Sequence, residues 1–141
     1  MNLKENESPL AELTAPDVLR VGINLGNSLL VSGTSPSGDP QGVAPDLAAA
    51  LAKSLGVAVK YLTYPMPGDV ADAGERDEWD ICLIAIEPKR AEKIDFSDAY
   101  AEIEATYLVP KSSPFQSIEE VDQPGVRIAT LDRAAYDLYL T

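Results

Sequence analysis

Apolar residues fall in short runs separated by glycine, proline and acidic positions, and the period of the runs changes along the chain. Residues 19–24, reading L-R-V-G-I-N, predict a first strand. A helix is predicted over 45–55, with Leu47, Leu51 and Leu55 on one apolar stripe and Gly56 where a C-cap glycine belongs. A second strand is expected over 57–62 and a weaker helix over 69–76. The run Ile81-Cys82-Leu83-Ile84-Ala85-Ile86 is too short to span a membrane and branched enough to form a central strand buried on both faces. Another strand is expected over 105–109. Strands alternating with helices in this order predict an α/β fold, a mainly parallel sheet with helices on both faces. Residues 34–42, rich in serine, glycine and proline, read as a loop or hairpin tip.

The pattern breaks at Pro110. Pro110 and Pro114 lie close together, which suits a crossover rather than an element interior. Beyond it, Ser117 and Glu120 have the spacing of a capping box, 126–129 read as a new strand, and Asp132 is placed as the N-cap of a helix running to the last residue.

Charge and composition narrow the function classes. A chain of 141 residues is long enough for one ordinary domain, which buries roughly 70% of its unfolded surface. A net charge of −12 argues against nucleic acid and against anionic membrane surfaces, both of which attract basic patches. Histidine is absent, which removes the commonest general base and zinc ligand, so no metal or cofactor is expected. Cys82, the only cysteine, sits inside an apolar run and is expected to be buried and inert. No apolar run reaches 18 residues, and the N-terminus lacks the basic and apolar regions of a signal peptide. Either a signal peptide has been removed or the protein stays in the cytoplasm.

The chemistry concentrates after residue 81. Arg90 follows the apolar run, with Pro88 suited to the first turn of a short helix that would project Arg90, exposed, from the carboxyl end of the strand. The turn reads Glu87-Pro88-Lys89-Arg90 and is followed by Asp95-Phe96-Ser97-Asp98-Ala99-Tyr100. This segment resembles the amino-acid-binding family of solute-binding proteins that serve ABC transporters, the type 2 periplasmic-binding-protein fold. There a strand leads into a T-P-x-R-like turn and then D-F-S/T-x-x-Y. The resemblance takes in L-R-V-G-I-N at 19–24 and G-V-A-P-D-L-A-A-A-L-A-K-S-L-G-V at 42–57, and continues through 107–109 and 126–129. It implies an N-terminal extension over 1–17, a first lobe over 18–110, the crossover over 111–116 and the start of a second lobe over 117–141. Two lobes of ordinary domain size need on the order of 220–250 residues, so the second lobe is expected to be truncated. A tail of that kind must pack on the first lobe, exchange with another copy to give a homodimer, or belong to a longer chain.

The family places the ligand's α-carboxylate on the arginine at the position of Arg90, whose planar fork of donors matches it. The alternative is a surface arginine paired with Glu87 or Glu92. Where the family has serine and threonine, this chain has Ala85 and Glu87, so Ala85 would donate through its backbone N–H alone. Glu87 either meets a cationic ligand group, repels an anionic one, or bridges to Arg90. Asn24 and Asn27, after the first strand, replace the family's acid and aromatic. They offer neutral hydrogen bonding or form turns. Asp132, Arg133 and Ala134 stand where the family presents a helix N-terminus to the carboxylate. Arg133 would strengthen an anion site there, or be a solvated first-turn residue beside an Asp132 cap. Trp79 reads as a packed aromatic, Asp80 as a turn acid, Tyr136 and Tyr139 as an apolar stripe, and Asp98, Tyr100, Glu102 and Glu104 as a solvated strand edge.

The resemblance implies a non-enzymatic binding domain for a small, polar, carboxylate-bearing ligand, with an ABC transporter permease as partner and a periplasmic or extracellular location. Two alternatives remain: a dehydratase-like enzyme on the same fold, with Glu87 as proton donor, and a sensory domain without transport.

Overall fold

The computed structural model describes residues 9–141. In chain order it contains a 3-10 turn Pro9–Glu12, β1 Val18–Asn24, the two-residue β2 Gly33–Thr34 and β3 Pro40–Gln41, α1 Val43–Leu55, β4 Ala58–Tyr64, α2 Pro67–Glu75, β5 Ile81–Leu83, α3 Pro88–Ala91, α4 Ile118–Val121 and α5 Ala135–Leu140. The first half of the expected N-terminal extension, 1–8, lies outside the described residues.

β1 is the hub. It pairs in parallel with β4 on one side, from Val18 against Ala58 to Asn24 against Tyr64, and with β5 on the other, where Val21, Gly22 and Ile23 face Ile81, Cys82 and Leu83. Paired residues of parallel strands point to the same face. Leu19, Val21 and Ile23 therefore join Val59, Tyr61, Ile81 and Leu83 on the face that α1 covers with Ala44, Ala48 and Ala52. The Tyr61 hydroxyl ties the layers by donating to the Pro45 carbonyl at 3.0 Å.

The predicted leucine stripe is not the buried one, since Leu47 is 42% and Leu51 39% exposed. Alanines one step, about 100°, further round the helix face the sheet, because only small side chains let the helix approach closely. Gly56 does end α1, in the left-handed region at φ 74°, with its N–H turned back to the last helical carbonyls.

The second face is built on Trp79. A Cβ on Gly22 would come 2.8 Å from the Trp79 ring and one on Gly74 2.6 Å, so the indole lies between two bare backbones. Its Nε1 donates to the Val70 carbonyl at 2.9 Å, and Val70 and Ala73 of α2 are fully buried. Helices thus cover both faces, as the sequence predicts.

Asp80 does more than turn the chain. Its carboxylate accepts from the backbone N–H of Arg20 (2.8 Å), from Arg20 Nε and Nη2 (3.2 and 2.8 Å) and from Thr14 N–H (3.2 Å). Burial pushes this carboxyl up, but the hydrogen bonds from Arg20 and Thr14 outweigh it and hold Asp80 below its usual range.

Five expectations are corrected. The strand at 81–86 ends at Leu83 and is an edge strand; β1 is central, in the order β4-β1-β5. Residues 105–109 are not a strand: among the described residues no neighbour pairs them, and Leu108 is 98% exposed. The residues from Asp98 to Glu104 are exposed but irregular rather than a strand edge. Residues 126–129 keep a half-buried and exposed alternation without a strand to complete the ladder, and the last helix starts at Ala135 with Ala134, not Asp132, as N-cap. The capping box at Ser117 is present, with Ser117 N–H donating to Glu120 Oε2 at 3.3 Å.

Candidate functional site

Leaving β5, the chain runs irregularly over Ile84, Ala85 and Ile86 and then starts α3 with Glu87 as N-cap. Glu87 is extended (φ −152°), Pro88 supplies the first turn, and the Glu87 carboxylate accepts from the backbone N–H of Arg90 at 3.2 Å. The carboxylate therefore caps a helical turn and does not pair with the guanidinium. Among the described residues Arg90 forms no ion pair with Glu87 or Glu92.

Arg90 is not the exposed residue expected. It is 6% exposed and Glu87 7%, and they are the buried charged residues of the described chain. The guanidinium is held by main-chain oxygens: Nη1 donates to Ala85 O at 3.0 Å and Nη2 to Arg133 O at 2.9 Å. Ala85 thus meets Arg90 through its carbonyl, whereas the sequence suggested its N–H as a donor. Burial lowers the Arg90 pKa while the nearby Glu87 charge raises it.

Arg133 lies 43 positions further on and reaches lobe residues the sequence reading did not connect with it. It holds a left-handed conformation (φ 56°), fixed by its own N–H donating to Asp137 Oδ2 at 2.8 Å. Its guanidinium crosses to α2, donating to Asp72 Oδ2 at 2.6 Å and Asp69 Oδ1 at 3.0 Å. It lies over Gly68, where a Cβ would come within 2.5 Å of Arg133 Cζ. Its bonds to the Asp72 and Asp69 carboxylates raise its pKa. Arg133 thus carries its half-exposed charge paired with two carboxylates of α2, as a clip between the last segment and that helix. Asp132 stays outside, with its side chain 82% exposed and 3.5 Å from Arg133 Nε, and Ala134 is buried. Gly68, Asp69 and Asp72 were missed, although two aspartates three apart on a predicted helix share a face and signal a cation partner.

Asn24 ends β1 and Asn27 lies just beyond it, and both shape the turn. Asn24 Oδ1 accepts from Gly26 N–H at 2.9 Å, and Asn27 Oδ1 from Leu29 N–H at 3.2 Å. Open cavities of about 510 and 200 Å³ lie in the tail, around Pro124–Val126 with Leu140 and around Tyr107 with Phe115; Arg90 lines neither. Among the described residues no His/Cys/Asp/Glu cluster could hold a metal ion, and no helix is long and apolar enough to cross a membrane.

A parallel sheet covered on both faces defines an α/β fold, and the buried Arg90 lies past the carboxyl end of one strand, where open sheets of this kind take ligands. Residues 19–137 match the model of the bacterial extracellular solute-binding proteins, family 3, and the chain belongs to that family. Among curated proteins no match is found. Three solved structures are similar. An ancestral cyclohexadienyl dehydratase shares 32% identity over 68% of this chain and 40% of its own, with a TM-score of 0.57. An ancestral amino acid-binding protein, a precursor of cyclohexadienyl dehydratase, shares 33% over 67% of this chain and 41% of its own (0.56). An ancestral cationic amino acid solute binding protein shares 33% over 60% of this chain and 37% of its own (0.53). The chain thus spans 37–41% of the length of these structures.

Proposed function

We propose that this chain binds a small, polar, amino-acid-like ligand through the ligand's carboxylate and serves ABC-type transport, with Arg90 as the principal carboxylate donor. The observation that carries this reading is a buried guanidinium that, among the described residues, has no carboxylate in ion-pair reach and is held by neutral main-chain carbonyls. Burying a cation whose own hydrogen bonds all go to neutral groups is costly, since the nearby Glu87 carboxylate is turned to the Arg90 backbone N–H, and an anionic ligand would supply a directly paired charge. Glu87, buried in the same turn, would then meet a cationic group such as an ammonium. The neighbour that binds cationic amino acids supports this choice. Asn24, Asn27, Ala85, Asp132 and Ala134 complete the proposed surroundings. A lobe over 18–110, a crossover over 111–116 and a second-lobe start over 117–141 remain the proposed division. The proposed partners are a transporter permease and, through exposed Tyr136 and Tyr139, a second copy. The location follows the family, periplasmic or extracellular.

A calorimetric screen of the common amino acids and simple carboxylates tests this. At least one amino acid should bind the wild type, Arg90→Lys should bind it much more weakly, and Glu87→Gln should shift preference towards ligands without an ammonium group. Unchanged affinity in folded Arg90→Lys would remove Arg90 from the site.

The dehydratase neighbour supports a second reading, elimination of water from a cyclic carboxylic acid with Glu87 as proton donor. Product formation by the wild type that disappears in Glu87→Gln would favour that enzyme over the binding domain.

A further inference from the structure

Arg90 is shielded by the chain itself. One of its guanidinium nitrogens donates to the Arg133 carbonyl, and at 6% exposure the fork is closed to anything from solvent. That carbonyl is placed by a non-glycine residue in the left-handed region, a conformation that persists only where surrounding contacts compel it. The contacts are few and identifiable: the bond from Arg133 N–H to Asp137, the pair of bonds to Asp69 and Asp72, a looser and mostly exposed approach to Asp132 at 3.5 Å, and the seat over Gly68.

We propose that Arg133 is the bolt of a latch and that Asp69 and Asp72 of α2 are its catch, holding segment 130–134 over Arg90 until the latch opens. This rests on the reading of Arg90 as the carboxylate donor. The strength of the catch suits a device that opens. The side chains of Arg133, Asp69 and Asp72 are 42%, 39% and 51% exposed, so their pairing is screened by water and salt. Two half-exposed pairs of this kind bias an open–closed balance by roughly twofold to thirtyfold. A fully buried pair would hold the segment shut, whereas this one yields to a competing ligand carboxylate at Arg90 or to salt. Asp69 and Asp72 thereby become positioning residues for the site, acting through Arg133 without touching ligand.

The test is the rate of modification of Arg90 by phenylglyoxal, a guanidine reagent, read by peptide mapping of the full 141-residue chain. In the wild type Arg90 should be protected. In Asp69→Asn/Asp72→Asn, and in Arg133→Gly, which tolerates the left-handed backbone while deleting the bolt, it should react roughly twofold to thirtyfold faster. Raising the salt concentration should speed the wild type in the same direction. Arg20, held by Asp80 at 14% side-chain exposure, is the internal control and should not change. Arg90 rates equal to wild type in variants whose Arg20 stays protected would overturn the latch. If Arg20 becomes reactive as well, the variant has lost its fold, and Gly68→Ala replaces it. There the new Cβ meets only the flexible end of Arg133, so the bolt shifts and the lobe does not. Acetate is the separate probe of the underlying reading. Failure of acetate to protect Arg90 in an opened variant would sink the carboxylate role and leave the latch standing.

Discussion

Arg90→Ala is expected to cost stability as well as binding, by an amount that follows from its surroundings. The substitution removes two hydrogen bonds from a charged donor, to Ala85 O and Arg133 O, each worth about 1.5–3 kcal/mol. It also relieves the desolvation of a buried cation, the same penalty that lowers the Arg90 pKa. The net loss should be about 2–4 kcal/mol, a large part of the 5–15 kcal/mol that holds an ordinary domain together. Trp79, the only tryptophan, is packed between Gly22 and Gly74 and reports unfolding by fluorescence. With a urea m-value of about 2 kcal/mol/M, the middle of the usual range, the midpoint should fall by roughly 1–2 M at unchanged m. Arg90→Lys, a point charge that can reach one carbonyl at a time, should lie between. A midpoint shift under about 0.5 M for Arg90→Ala would refute the buried-anchor account and restore the picture of a surface arginine.

Other outcomes follow from the same geometry. Asp80 titrates below its unfolded value of about 4, so its stabilisation is complete above that pH and is lost as pH falls through the lower folded value. The urea-midpoint gap between wild type and Asp80→Asn should therefore be full at neutral pH and narrow steadily in acid; a constant gap would contradict the assignment. Gly22→Ala places a Cβ 2.8 Å from the Trp79 ring and should destabilise by about 1–3 kcal/mol with a changed Trp79 emission, whereas an unaltered spectrum and midpoint would show that the ring yields freely. Burial pushes the Cys82 thiol up to about 12, so iodoacetamide should leave the folded protein unlabelled near pH 8 and react once urea unfolds it; prompt labelling of folded protein would mean the thiol is open.

The readings that succeeded were local. β1, β4 and α2 appear within about two residues of their predicted spans, and Gly56 and the Ser117 capping box need nothing beyond neighbouring residues. Where the reading failed, the deciding partner was distant. Residues 84–86 and 105–109 have strand composition but no paired strand among the described residues, and pairing makes a strand. The leucines of α1 are more apolar than its alanines, yet the close fit of helix on sheet selects the smaller residues. Arg90 was correctly set after β5 and Pro88, but its burial depends on a carbonyl 43 positions away that no local pattern announces. Arg133 was read against α5 alone, so its partners on α2 were out of view.

Gly68 and Arg133 also bind each other's evolutionary futures. The space above Gly68 is filled by a guanidinium, so a side chain at 68 conflicts with the bolt only while residue 133 is long. Once position 133 is short, position 68 is free to vary, and a larger residue fixed there would block the return of arginine. The effects of changes at the two sites therefore depend on the order in which they arise, as expected for residues in direct contact. Among descendants of such a lobe, a glycine at 68 paired with arginine at 133 would mark lineages that kept the latch, and a side chain at 68 those that gave it up.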